Sequence, residues 1–299
     1  MVNHCPHCLT LALPATEART SAPAIVRAGF FIRSSDQQKI QRFRCKTCRK
    51  TFSSATLDPC FRQKTRHLNP QILSLLSRGF TLRDIARHLA INKNTVAKRF
   101  VFLGIWCMEA LRQINQQRPP VWGLQFDDME SFEHTKLKPL SITVAVESKT
   151  RWILGVAVSS MPAKGPLAEK SVKKYGPRSD GRKQARQSLF TRIRELVSVG
   201  ATLESDSNPH YEPDVRQYFP DCRYRTHKGR RGCVVGQGEL KATARDELFW
   251  INHTCAMKRA KISRLFRRTW NTTKKMVNLE LHLNIYAYCH NMRLVGAMR

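Results

Sequence analysis

"VWGLQFDDME", residues 121–130, decides how the chain is read. Trp122, Leu124 and Phe126 fall on one side and Gln125 and Asp127 on the other, the period-two pattern of a half-buried strand. The stretch runs into two adjacent carboxylates, Asp127 and Asp128, in a chain with 52 Lys plus Arg against 22 Asp plus Glu. Neighbouring acids repel each other, so they belong either to a solvated turn or to a site that holds cations. Successive strand residues face opposite ways, which makes Asp127 the candidate ligand and leaves Asp128 behind it.

Reading outward, "LSITVAVES" (140–148) and "RWILGVAVSS" (151–160) are two further strands joined by the turn "ESKT". The stretch 163–186, "AKGPLAEKSVKKYGPRSDGRKQAR", reads as a basic loop that follows a DNA backbone. Leu189, Ile193, Leu196 and Val197 then mark a helix that stops at Gly200. "ATLESD" is a fourth strand ending at Asp206, "NPHYEPDVRQYF" a helix and "CRYRTH" a fifth strand. A last helix, "NHTCAMKRAKISRLFRRTW", carries Ile262, Leu265, Phe266 and Thr269 on one face and Lys258, Arg259, Arg264, Arg267 and Arg268 on the rest, a candidate phosphate-binding surface.

Three strands, helix, strand, helix, strand, helix is the element order of an RNase H-like fold. That fold brings the ends of its first and fourth strands together, and here those ends carry Asp127 and Asp206. Two carboxylates from separate strands are the minimum that holds Mg²⁺ or Mn²⁺ over a phosphodiester, because hard cations take oxygen ligands. Such ions would also remove the repulsion between the acids.

Composition narrows the partner. A formal net charge of +30 and a pI near 10.4 point to a polyanion, and nucleic acid is the usual one. No run of eighteen apolar residues exists, so a membrane span is not expected, and "MVNHCPHCLT" lacks the apolar core of a secretory signal. Four of the ten cysteines form two close pairs and six are scattered, the usage of a reducing compartment with one metal site. The pairs are Cys5 with Cys8 in "CPHC" and Cys45 with Cys48 in "RFRCKTCRKTF", the spacing of a zinc ribbon with four thiolate ligands.

Between ribbon and strands, "NPQILSLLSRGFTLRDIARHLAINKNTVAKRFVFLG" (69–104) reads as three helices. Asn69–Pro70 opens the first, with Ile72, Leu75 and Leu76 as its buried stripe. Thr81 with Asp84 is a capping box for the second, which buries Leu82, Ile85, Ala86 and Leu89. The third begins near Lys93 and buries Val96 and Phe100. This is a helix-turn-helix pattern whose reading helix turns Lys93, Asn94, Thr95, Lys98 and Arg99 toward DNA.

The ribbon, the helix-turn-helix, "FDDMESFEHTK", "SDSNPHY", "GRRGCVVGQGELK" and "INHTCAMKR…SRLFRRTW…LHLNIYAYCHN" together resemble a DDE transposase of a bacterial insertion sequence across nearly the whole chain. The resemblance implies an α/β, RNase H-like catalytic domain (119–299) after a zinc ribbon (1–60) and an all-α helix-turn-helix domain (61–118). It implies binding of double-stranded DNA, at element ends and at a target, with divalent-metal-dependent strand cleavage and transfer. A homodimer or higher oligomer on DNA is expected, in a bacterial cytoplasm and associated with the nucleoid. Asp127 matches the family's first acid and Asp206 its second. The third departs: where the family carries a glutamate near the start of the last helix, this chain has Ala256. Glu239, Glu247 and Asn252 are the alternatives, with Glu239 preferred on its spacing from Asp206. Without a third ligand the chain would read instead as a DNA-binding regulator that has lost chemistry.

Overall fold

The computed structural model describes residues 5–9, 25–228, 246–266 and 271–297. They form two compact units, Met1–Asn69 and Pro70–Arg299. No helix among the described residues is long and apolar enough to cross a membrane.

In the first unit a single helical turn, α1 (Pro6–Leu9), carries Cys8, with Cys5 immediately before it. Strands β1 (Ile25–Ile32), β2 (Lys39–Cys45) and β3 (Thr51–Ser53) form an antiparallel sheet in the order β1-β2-β3. The apolar core is small: Cys5, Cys45 and Phe52 are buried, with Cys8, Ile25, Phe43 and Cys48 packed on them. So little burial does not hold a fold by itself. All four cysteine sulfurs lie within 4.8 Å of one another, Cys5 to Cys48 at 3.6 Å and Cys8 to Cys45 at 3.8 Å. Sulfurs bound to one tetrahedral zinc stand about 3.8 Å apart, so the cluster is compatible with a zinc site. Backbone N–H groups of Cys48 and Thr47 pull the Cys45 thiol down to about 6, favouring the thiolate a metal needs.

At the boundary between the units begins α2 (Asn69–Leu76), followed in the second unit by α3 (Leu82–His88) and α4 (Lys93–Gln117). Asn69 is the first helical residue rather than a cap; its side-chain amide donates to Gln63 Oε1 at 2.8 Å. Thr81 does cap α3, its hydroxyl accepting from the Asp84 N–H at 3.2 Å. Asn92 caps α4 in the same way, accepting from the Asn94 N–H at 2.8 Å. The three-helix pattern is therefore present, but its third helix runs on for 25 residues.

A five-stranded sheet follows, in the order β6-β5-β4-β7-β8. Strands β4 (Val121–Phe132), β5 (Pro139–Glu147) and β6 (Ile153–Ser160) make an antiparallel meander. Strands β7 (Val197–Asp206) and β8 (Arg223–His227) add in parallel beside β4. Parallel neighbours need crossover helices, and α6 (Arg182–Ile193) and α7 (Tyr211–Tyr218) supply them on one face. The other face is covered by α8 (Phe249–Lys261) and α9 (Met276–Ala297). This mixed α/β architecture is consistent with the RNase H-like order read from the sequence.

Two apolar layers follow from the pleat. Phe126, Ala145 and Leu203 pack with Leu189, Phe190, Tyr211 and Val215 of α6 and α7. Met129, Ile142, Val144 and Val156 pack with Ile251, Cys255, Leu279, Leu283 and Tyr286 of α8 and α9. On the edge strand β6, Asn291 of α9 accepts from the Ile153 N–H and donates to its carbonyl, both at 2.9 Å, in place of a further strand.

Several boundaries differ from the sequence reading. Part of the basic stretch 163–186 is helical, as α5 (Ala168–Tyr175) and the start of α6. Val197–Gly200 belongs to strand β7 rather than to a helix, because α6 ends at Ile193 and one 3₁₀ turn, Arg194–Leu196, leads straight into the sheet. The basic helix ends at Lys261, although Ile262 and Leu265 beyond it are buried as expected.

Candidate active site

The site is set by strand register. In the parallel pairing of β4 with β7, Gln125 stands opposite Glu204. Asp127 and Asp206 lie two residues further along each strand, so the pleat returns both to the same face, beside each other. Asp206 is the last residue of β7, whereas Asp127 lies midway along β4, which continues to Phe132 paired with β5. Asp127 and Asp206 therefore lie where the parallel partner stops and the longer strand runs on.

Burial pushes the Asp127 carboxyl up to about 6, and the Asp206 charge adds to the effect; Asp128 adds a little more, while Arg259 of α8 works against it. Asp127 Oδ1 accepts from the Asp128 N–H at 2.7 Å, and Asp206 Oδ1 from the Asn208 N–H at 3.2 Å, so backbone donors orient both groups. The arrangement holds two adjacent carboxylates under mutual repulsion on a rigid sheet, an oxygen donor set that suits a hard divalent cation.

Asp128 faces the opposite side, as alternation requires. It accepts from the Thr143 hydroxyl and stands 3.7 Å from Arg186, which is itself paired with the buried Asp214. Its N–H donates to the Tyr211 hydroxyl at 3.1 Å. Burial raises its carboxyl as well. Asp128 is thereby a structural acid that locks β4 to α6 and α7 beneath the pair.

Two residues missed in the sequence fasten the helix beside the acids. Gln125, 1% exposed, donates to Glu204 Oε2 at 3.0 Å and to the Glu247 carbonyl at 2.7 Å, and accepts from the Ile251 N–H at 3.2 Å. Glu204 in turn meets His227 Nε2 at 3.2 Å. The signal was present in the strands: each residue lies two positions before an acid and so on its face.

The three alternatives for a third ligand separate. Glu239 lies outside the described residues. The Glu247 side chain is exposed, and its backbone carbonyl serves Gln125. Asn252 is exposed on the first turns of α8, its amide donating to Asp246 at 3.0 Å. Among the described residues, the four cysteines alone form a group of three or more metal-ligating side chains with their ligand atoms within 4.8 Å.

The DNA-facing candidates divide too. Lys93, Asn94 and Lys98 are exposed at the start of α4, with Thr95 and Arg99 half-buried. Lys258 is corrected: it is fully buried beside Cys255, and its Nζ finds no hydrogen-bond partner among the described residues. Burial lowers its amine to about 8, and it reaches no phosphate. Arg264 lays its guanidinium over the Phe100 ring at 4.9 Å and is largely a packing residue. Arg259 is half-buried near Asp127, and Arg267 and Arg268 lie outside the described residues.

No protein-family model and no curated protein matches the chain. Among solved structures, it is similar to the Mos1 strand transfer complex, at 10% identity over 76% of this chain and 77% of that one, with a TM-score of 0.24. A Mos1 transposase paired-end complex with the left transposon end gives 12% identity over 71% and 78%, again with a TM-score of 0.24. Likeness at that level assigns neither fold nor function to this chain.

Proposed function

We propose that the chain is a DNA transposase that uses Asp127 and Asp206 to hold divalent cations for strand cleavage and strand transfer. The observation that carries this reading is the register of β4 and β7, which sets two repelling carboxylates side by side in a protein of net charge +30. The donor set fits Mg²⁺ or Mn²⁺: all-oxygen, doubly anionic, and with a raised Asp127 carboxyl whose charge a cation would stabilise. When bound, the ion supplies Lewis acidity to the phosphodiester and offsets charge on its oxygens. The chain supplies the placement: backbone N–H groups aim the carboxylates, Gln125 fastens α8 beside them, and Arg259 adds positive charge where a phosphate would approach. The helix-turn-helix, through Lys93, Asn94 and Lys98, would bring duplex DNA to the site, with Zn²⁺ holding the ribbon.

A second reading is a DNA-binding regulator without chemistry, favoured by Ala256 in place of the family's glutamate. One experiment separates the two. Mn²⁺ is titrated into the zinc-loaded chain and its Asp127→Ala and Asp206→Ala variants, followed by a nicking assay on supercoiled DNA. The transposase reading expects one binding event lost in both variants, and nicking lost by at least about a hundredfold. Mn²⁺ binding that ignores both substitutions, or no nicking by the wild type, would leave the regulator.

A further inference from the structure

We propose that the exposed end of the β1–β2 hairpin is a stacking platform for unpaired DNA bases, an inference that rests on the DNA-binding reading above. Near the cysteines the sheet face is covered by Phe43 and Phe52, but toward the hairpin end it opens. There Phe30 is 55% exposed and Ile32 53%, large side chains that ordinary packing would cover.

Their placement is built into the strand. The β1–β2 register shifts between Arg27 and Phe30, at Gly29 with φ 77°, a bulge that brings Phe30 opposite Gln41 and Ile32 opposite Lys39. Gln41 Nε2 donates to the Gly29 carbonyl at 2.6 Å and pins the bulge. Lys39 Nζ stands 3.8 Å from the Phe30 ring centroid, so a cation is fixed against the ring.

The surrounding charge selects the occupant. The two described acids of this unit, Asp36 and Asp58, are each held by an arginine, Arg33 and Arg66. That leaves Arg27 and Lys39, which share the face of Phe30 and Ile32, exposed with no acidic partner among the described residues. Phosphates answer the cations but offer nothing to Phe30 and Ile32. A nucleotide with an unpaired base answers both, its phosphate at the cations and its π-face on the ring. Paired bases inside a duplex keep their faces stacked and out of reach, so the geometry points to single-stranded segments.

The test uses the zinc-loaded full chain without magnesium or manganese. It is titrated into a single-stranded oligonucleotide carrying 2-aminopurine and, separately, into a duplex of equal length. Phe30→Leu keeps apolar bulk and removes the π-face. It should weaken single-strand binding about tenfold and abolish the 2-aminopurine quench, with duplex affinity unchanged. Phe30→Trp should restore both signals. Should Phe30→Leu lose zinc or fold, Lys39→Gln takes its place, expected to weaken the single strand severalfold with the quench retained. Unchanged single-strand affinity in Phe30→Leu, or an equal loss on duplex, overturns the platform, as does conversion of a self-associated wild type to monomer by the substitution. A wild type that binds duplex and not single strand sinks the platform alone; one that binds neither sinks the DNA reading itself.

Discussion

At the scale of single residues, the Asp127–Asp206 pair makes a stability statement as well as a functional one. The folded Asp127 carboxyl is raised from 3.8 to about 6, first by burial and then by Asp206. A carboxyl raised in the folded state favours folding below its unfolded value, and that contribution is lost as pH rises from about 4 to about 6. Asp127→Asn removes the charge and keeps an oxygen to accept the Asp128 N–H. The metal-free variant should therefore be more stable than wild type at pH 7, by on the order of 1–3 kcal/mol, and the gain should vanish near pH 4. Thermal melts across that range, with divalent ions absent, decide it; a variant less stable than wild type at pH 7 would mean the carboxylate has a partner that offsets its burial. That Asp127 and Asp128 face opposite ways was legible, because alternation assigns each a side. Lys258 was not. It lies three residues after Cys255 and four before Ile262, on the buried face, yet a lysine in a basic run reads as solvated unless spacing overrules its charge.

At the scale of elements, strand type and order were readable wherever one face meets solvent and the other a core. The readings failed where an element is buried nearly all round. Helix α9 is the clearest case: Leu279, Leu281, Leu283, Ile285, Tyr286 and Ala287 are all buried, so no polar face marks a helical period. Its polar residues turn inward as well, His282 to the Leu76 carbonyl at 3.0 Å and Asn291 to Ile153. Helix α9 packs on α4, and at Gly104 the contact is tight: a methyl group there would come within 2.7 Å of Leu281 Cβ. Alanine is the better helix former by about 1 kcal/mol, but the obstruction is a Cβ fixed to the facing backbone rather than a movable chain end. The packing term should win, and Gly104→Ala should lower stability by about 1–3 kcal/mol. A raised melting temperature would show that the two helices part more easily than their contact suggests. The same contact explains why α4 continues past the helix-turn-helix: Leu103, Cys107 and Leu111 keep its inward face buried after Phe100.

At the scale of the whole molecule, the two units draw stability from different sources, and that difference is testable. The described residues of the second unit bury two apolar layers against a five-stranded sheet, enough to fold without a cofactor. Among its described residues the first unit buries few apolar side chains, Cys5, Ile40, Cys45, Phe52 and Ala55, and its two cysteine pairs come from segments separated by most of its length. Without an ion, the sulfurs there are close neighbours with only weak attraction between them. Metal binding is then the greater part of that unit's folding free energy. A strong chelator under reducing conditions should unfold residues 25–69 and leave the rest intact. Hydrogen exchange read by mass spectrometry should show protection lost in β1, β2 and β3 and kept in β4 to β7. Cys45→Ser should give the same map without chelator, because it removes one of the four clustered thiols. One cooperative loss across both units would instead mean that the sheet of the second unit depends on the ribbon. The stacking platform on β1 should fall with the zinc, while metal binding at Asp127 and Asp206 should survive, since those acids are held by strands of the second unit.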